Sequence, residues 1–263
     1  MAKKKAKMIV EGASVTGPQW KELVRQVVDG ELTGEQVQAI LGRRNPFIQN
    51  TKKLSPPDII LRLRDRWAEF WQVVGGRTLT DADLVLPALR SGLEASTLEA
   101  FTLPVVTPRD LKAEQLYQLT VDTNFFPCWK NWDNLDVLEV KESYLQVVDQ
   151  APVILVKPVV EASADLCLSY NQAIADKKIF ISIRHRITME PFGFWLNKDH
   201  PREAKQFGIP QHFDPKGWTR TASLAPVGRV ANGSWHEAHG KFRVNWSAHG
   251  NADPHGGLRQ AVC

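Results

Sequence analysis

Residues 55–76 contain every signal of one long amphipathic helix. Ser55 stands where an N-cap belongs, Pro56 opens the first turn, Asp58 sits at the third position, and Gly75 and Gly76 close the segment. Between them Ile59, Ile60, Leu63, Trp67, Phe70, Trp71 and Val74 recur at helical spacing, so a broad apolar stripe must be buried against another layer. An all-β fold is excluded. The second layer is indicated by the change of texture near residue 120, where valine, isoleucine and aromatic runs appear between Gly, Pro, Asn and Asp. Val153 to Val156 suits a buried strand. Ile179, Ile181, Ile183, His185 and Ile187 alternate with Phe180, Ser182, Arg184 and Arg186, which predicts a strand with one wet face and a hydrogen-bonded core histidine at 185. Runs at 227–230, 241–246 and 258–262 predict three more strands. The expected fold class is α+β, a helical N-terminal part followed by a mixed, mainly antiparallel β domain.

Other helices are predicted from the same grammar. Pro18 and Gly30 bracket Trp20, Leu23, Val24, Val27 and Val28, while Thr33 with Gln36 has capping-box spacing ahead of Val37, Ile40, Leu41 and Gly42. This pair reads as a packed helical hairpin, although a helix-turn-helix has the same pattern. A further helix is expected from Thr107, Pro108 and Asp110 through Leu111, Leu116 and Tyr117. The stretch 77–106, broken by Pro87 and Pro104, is expected to be mostly irregular. Arg62, Arg64 and Arg66 read as a solvated helix face.

Several function classes lose their usual signs. No run of eighteen apolar residues occurs, and the basic start with Lys3, Lys4, Lys5 and Lys7 has no apolar stretch behind it, so neither a membrane span nor a signal peptide is predicted. Cys128, Cys167 and Cys263 are odd in number and contain no C-x-x-C, which points to a reducing cytoplasm as the expected compartment. A phosphate loop, a G-x-S-x-G elbow and a recognisable carboxylate pair are all missing from the sequence. The net charge of +4 owes much to the basic tail, and nucleic-acid binding through that tail and the first helical pair is an alternative rather than the favoured reading.

Two features invite chemistry. Five of the seven histidines follow residue 210: His212, His236, His239, His249 and His255. His236-Glu237-Ala238-His239 is one residue short of the H-E-x-x-H zinc motif, and Gly233 and Gly240 beside it argue for a turn where that motif needs a helix. A hairpin bringing His236 and His239 to a metal with Glu237 or Asp253 defines a second alternative, a metal-dependent hydrolase. The block Phe125-Phe126-Pro127-Cys128-Trp129-Lys130-Asn131-Trp132 packs four large rings into eight residues and reads as a brace between the helical and strand-rich parts. A sugar or nucleic-acid stacking shelf is its sharper alternative. Cys128 reads as a small apolar group within it.

The last segment combines apolar positions at Trp235, Phe242, Val244, Trp246, Leu258 and Val262 with intervening runs of Asn, Ser, His, Asp, Ala and Gly. Its order, Gly233-Ser234-Trp235, a strand ending in Trp246, a polar loop, then Gly257-Leu258-Arg259 and Ala261-Val262-Cys263, resembles the variable region of target proteins diversified by diversity-generating retroelements. The whole chain is also similar to a group of uncharacterised bacterial proteins whose ends vary. The resemblance implies a C-type-lectin-like domain over residues 107–263, a helical region with a basic tail over residues 1–106, and a variable ligand-binding tail at 228–263. In that family, adenine-directed mutagenesis acts on codons that cannot encode Lys, Glu, Gln, Met or Trp, and residues 247–257 contain none of them. Glu237 and Lys241 would then be fixed positions. The resemblance implies a non-enzymatic binding protein, without cofactor, whose partner is a protein or other macromolecular ligand. Its contact positions would be Asn232, Ser234, His236, His239, Asn245, Ser247, His249, Asn251, Asp253 and His255, with Trp235, Trp246 and Arg259 as scaffold. The related formylglycine-generating enzymes have a similar closing strand, but their catalytic cysteines find no match in Cys167 or Cys263.

Overall fold

The computed structural model describes residues 8–10, 13–15, 21–22, 25–26, 29, 54–87, 100–122, 126–162, 166–226 and 228–263. The chain divides into two compact units, Met1–Leu54 and Ser55–Cys263. In the first, strands β1 (Met8–Val10) and β2 (Ala13–Val15) pair antiparallel, Met8 opposite Val15. Residues 21, 22, 25 and 26 are helical, and Arg25 pairs along that turn with Glu22 at 2.7 Å and Asp29 at 2.6 Å. The apolar stripe expected over Trp20 to Val28 and the whole second helix, Thr33 to Gly42, lie outside the described residues, as do the basic tail and Phe125.

The second unit starts with helix α1 (Pro56–Gly75), as its sequence predicts. Ser55 Oγ accepts from the Asp58 amide, the Asp58 carboxylate accepts from the Ser55 amide, and Gly76 takes a left-handed φ of 56° at the end. Ile60, Leu63, Trp67, Phe70, Trp71 and Val74 are its buried face. This helix belongs to the same unit as the strands of the large sheet. Later parts of the same unit, Leu103–Val106, Ala113–Asp122 and Ile183–Asp199, cover the α1 stripe.

Strand β3 (Leu103–Val106), helix α2 (Ala113–Asp122), strand β4 (Cys128–Lys130), helix α3 (Ser143–Gln150) and strand β5 (Val153–Val156) come next. β5 is buried throughout, as expected. β3 corrects the expectation of irregular chain, and Pro104 is tolerated because β3 is an edge strand, paired only with β5 in its three-stranded sheet. The edge is covered. Trp67 Nε1 donates to the Pro104 carbonyl at 2.5 Å and Trp71 Nε1 to the Val106 carbonyl at 3.0 Å, so α1 satisfies groups that would otherwise invite another strand. α2 starts later than Thr107, with Gln115 Oε1 accepting from the Lys112 amide ahead of it.

Helices α4 (Tyr170–Ala175), α5 (Ile183–Asp199) and α6 (Pro201–Phe207) precede strands β6 (Trp218–Ala225), β7 (Arg229–His236), β8 (Lys241–Ala248), β9 (Gly256–Leu258) and β10 (Ala261–Val262). The smaller sheet of this unit has the order β10-β5-β3 and the larger one β4-β8-β7-β6-β9. The unit is α+β, with helices against mixed sheets. α5 overturns the strand expected from Ile179 to Ile187: only Phe180 bridges, to Gln260, and the chain turns helical at Ile183. α5 touches α1, α2, β3, β6 and β7, and its residues are buried on every side. A helix without a wet face has no amphipathic signature, and its first turns mimic alternation. Among the described residues, no helix is long and apolar enough to cross a membrane.

His185 is buried, as expected, but on α5, with Nδ1 3.0 Å from Ser182 Oγ. Burial pushes its pKa down to about 4. The folded state therefore holds it neutral, so its contribution is complete above the unfolded value near 6.5 and is lost as pH falls from there toward 4. Chemical unfolding between those pH values should show a stability slope approaching about 1.4 kcal/mol per pH unit, flattened in His185→Gln. An unchanged slope in the variant would remove His185 as its source.

Candidate functional site

The two faces of the large sheet differ in kind, and strand alternation assigns residues to them. Ala231, Gly233 and Trp235 on β7, with Phe242 and Val244 on β8, face α5. The Arg186 guanidinium lies 4.7 Å from the Phe242 ring, and a Cβ on Gly233 would come within 2.6 Å of Arg186 Cγ. The glycine of Gly233-Ser234-Trp235 is therefore a passage for a buried arginine. Gly233→Ala should cost about 1–3 kcal/mol by forcing Arg186 aside, read from the denaturation midpoint, and a neutral effect would contradict this account of the motif.

Behind that face lies a fully buried ionic network. Arg186 Nη1 meets Glu190 Oε2 at 2.7 Å and its Nη2 meets Asp214 Oδ2 at 3.2 Å, while Arg259 Nη2 meets Asp214 Oδ1 at 2.9 Å. Thr219 Oγ1 and the Ala162 amide also donate to Asp214, and Arg259 Nη1 donates to the Val159 carbonyl. Burial lowers the Arg259 pKa, and Asp214 opposes the shift. Two cations facing two carboxylates, each further hydrogen-bonded, fix the sheet against α5 and the closing strand. Arg259 is thus held inside the molecule by Asp214 and the backbone around Val159. Trp235 is also held from within: His212 stacks on it at 3.6 Å, and Phe126 lies 5.6 Å from it and 5.2 Å from Phe194 on α5. The aromatic block thus braces α5 to β7 through Phe126.

The opposite face carries the candidate contact positions. Asn232 pairs with Asn245, Ser234 with Arg243, and His236 with Lys241 across β7 and β8, so these six share one side. β4 extends it, with Trp129 opposite Arg243 and Asn131 Nδ2 donating to Asn245 Oδ1 at 3.4 Å. At the β9 end Val230 and Leu258 are covered by Leu145, Tyr170, Ala173 and Phe180. This cover corrects two expected contact positions: Asn232 and Ser247 are buried, the latter beside Val230. Ser234, His236 and Asn245 are half-buried, and His239 is exposed in the short turn Glu237–His239 that Gly240 closes at a φ of 57°.

The polar loop is pinned rather than loose. The His249 carbonyl accepts from the Asn171 amide, its amide donates to the Gly228 carbonyl, and its ring lies where a Cβ on Gly228 would be. Asn251 offers its carbonyl to Arg220 Nη2 at 2.8 Å, and Asp253 Oδ1 accepts from the His255 amide at 2.8 Å. Asn251 and His255 remain exposed. Arg220, buried under this loop and stacked on Trp218 at 4.9 Å, has its pKa lowered by burial, with Asp253 opposing.

The rings of His236 and His239 lie 4.5 Å apart, edge to face, yet among the described residues no group of three or more His, Cys, Asp or Glu side chains could hold a metal ion. A separate cleft of about 630 Å³ is lined by Val85, Leu86, Arg109, Val147, Arg184 and Cys263, and none of the tail's candidate positions reaches it. Arg184 there is engaged by the carbonyls of Pro108, Leu111 and Asp149. Sequence reasoning missed Arg243, Lys241 and Asn131 as face residues, although strict alternation around Ser234 and Asn245 would have found the first two.

Fold and site define a class: an α+β protein with a polar sheet face backed by a buried ionic lock. In comparison with family models, curated proteins and solved structures, the chain matches none.

Proposed function

We propose that this chain is a non-enzymatic cytoplasmic ligand-binding protein that displays a diversified surface on a C-type-lectin-like scaffold, its partner being a protein surface. The observation that supports it most is the segregation of Ser234, His236 and Asn245 onto one sheet face while Gly233, Trp235, Phe242 and Val244 face α5. On a rigid sheet such positions can be exchanged without disturbing the core, and a face ordered before the ligand arrives loses little freedom on binding. His249, Asn251, Asp253 and His255 form its rim. The test is the sequence of this gene's end across a population, with its flanking DNA: substitutions at template adenines, clustered on the face and rim beside a reverse-transcriptase gene, are expected. An invariant end would overturn diversification.

A further inference from the structure

We infer that the partner presents a carboxylate-rich protein segment, received by Arg243 laid over Trp129; this rests on reading the β4-β8-β7 face as the ligand-binding face. Trp129 is 41% exposed, and the Arg243 guanidinium lies 5.4 Å from its ring. The other half-buried or buried arginines of this unit are largely taken by carboxylates or carbonyls: Arg66 by Glu203 and Glu69, Arg77 by Asp110, Arg186 by Glu190 and Asp214, Arg259 by Asp214. Among the described residues Arg243 has no carboxylate partner.

A guanidinium placed over an indole ring has part of its freedom already removed, and its planar fork matches a carboxylate with two parallel hydrogen bonds. Ser234 opposite it and Asn245 two residues along supply neutral donors, and Lys241 adds a second exposed cation on the same face. The nearest acidic residues in sequence are Glu237, in the turn, and Asp253, which lies in the field of Arg220. Charge complementarity therefore selects an acidic partner. Nucleic acid fits less well, because phosphate tracking draws its affinity from many cations in a row, whereas this face offers Lys241 and Arg243 among neutral side chains.

Full-length protein would be titrated with poly-L-glutamate, poly-L-glutamine and single-stranded oligothymidylate at low and moderate salt. Poly-glutamate is expected to bind, roughly tenfold more weakly to Arg243→Gln. Poly-glutamine should not bind. Arg229→Gln, which alters an exposed arginine stacked 3.9 Å from Trp246 at the other end of the sheet, should leave binding unchanged. Equal loss in both variants would reduce the effect to net charge and overturn the inference, as would tighter binding of oligothymidylate or no preference for glutamate over glutamine. A gene end that varies together with absent glutamate binding overturns this inference alone. An invariant end overturns diversification, and the titration then decides the anion surface by itself.

Discussion

Asp214→Ala is expected to destabilise the protein by about 3–5 kcal/mol, a large part of the stability of an ordinary domain. The carboxylate joins Arg186 at 3.2 Å and Arg259 at 2.9 Å and also accepts from Thr219 and Ala162, all of them inside the molecule. Its removal leaves two buried guanidinium groups with Glu190 as the remaining carboxylate of the network. Denaturant unfolding followed by circular dichroism should show the loss. A change below about 1 kcal/mol would mean that the network is replaceable and does not fix the sheet to α5.

Trp67→Ala is expected to cost a similar amount, about 3–5 kcal/mol, for a different reason. Trp67 is fully buried, stacks on Phe192 at 3.8 Å and meets Phe70 edge to face at 5.4 Å. Its truncation opens a cavity between α1 and α5 and also removes the donor from the Pro104 carbonyl on the β3 edge. Trp67→Phe separates these effects: it retains most of the packing and should cost about 1 kcal/mol for the lost hydrogen bond, with added cost from imperfect filling. Equal destabilisation by both variants would place the whole contribution in the hydrogen bond and contradict the packing account.

The elements legible in the sequence are those with a wet face opposite a dry one, or a short apolar run set between turn residues. α1 was legible because one face is wet and Ser55, Asp58 and Gly76 mark its ends. β5 and β8 were legible because apolar runs between turn residues mark them, whereas β7 was read only at its start, since Gly233 looked like part of a turn but lies inside the strand, where it makes room for Arg186. α5 was not legible, since a helix buried all round repeats no polar face, and the isoleucines before it imitate a strand. The i, i+4 spacing of Arg186 and Glu190 was the available sign of a helix there. β3 was hidden by Pro104, which is acceptable only because that strand lies at an edge. At the site, positions 232, 234, 236 and 245 were among the contact positions that the resemblance implied for the runs of small polar residues, and their shared side shows only once β7 and β8 are paired. Trp129 was noticed only as part of an aromatic block, because its place beside Arg243 depends on a parallel pairing across more than a hundred residues of chain.

The central claim is that Ser234, His236, His239 and Asn245, with the rim at His249, Asn251, Asp253 and His255, can vary while the sheet beneath them cannot. Sequencing the end of this gene from many members of one population tests it most directly. The account predicts differences concentrated at those positions, with Gly233, Trp235, Phe242, Val244 and Arg259 constant because they contact α5, the aromatic brace or the ionic network. Copies that do not differ, or differences spread equally over the positions facing α5, would contradict it.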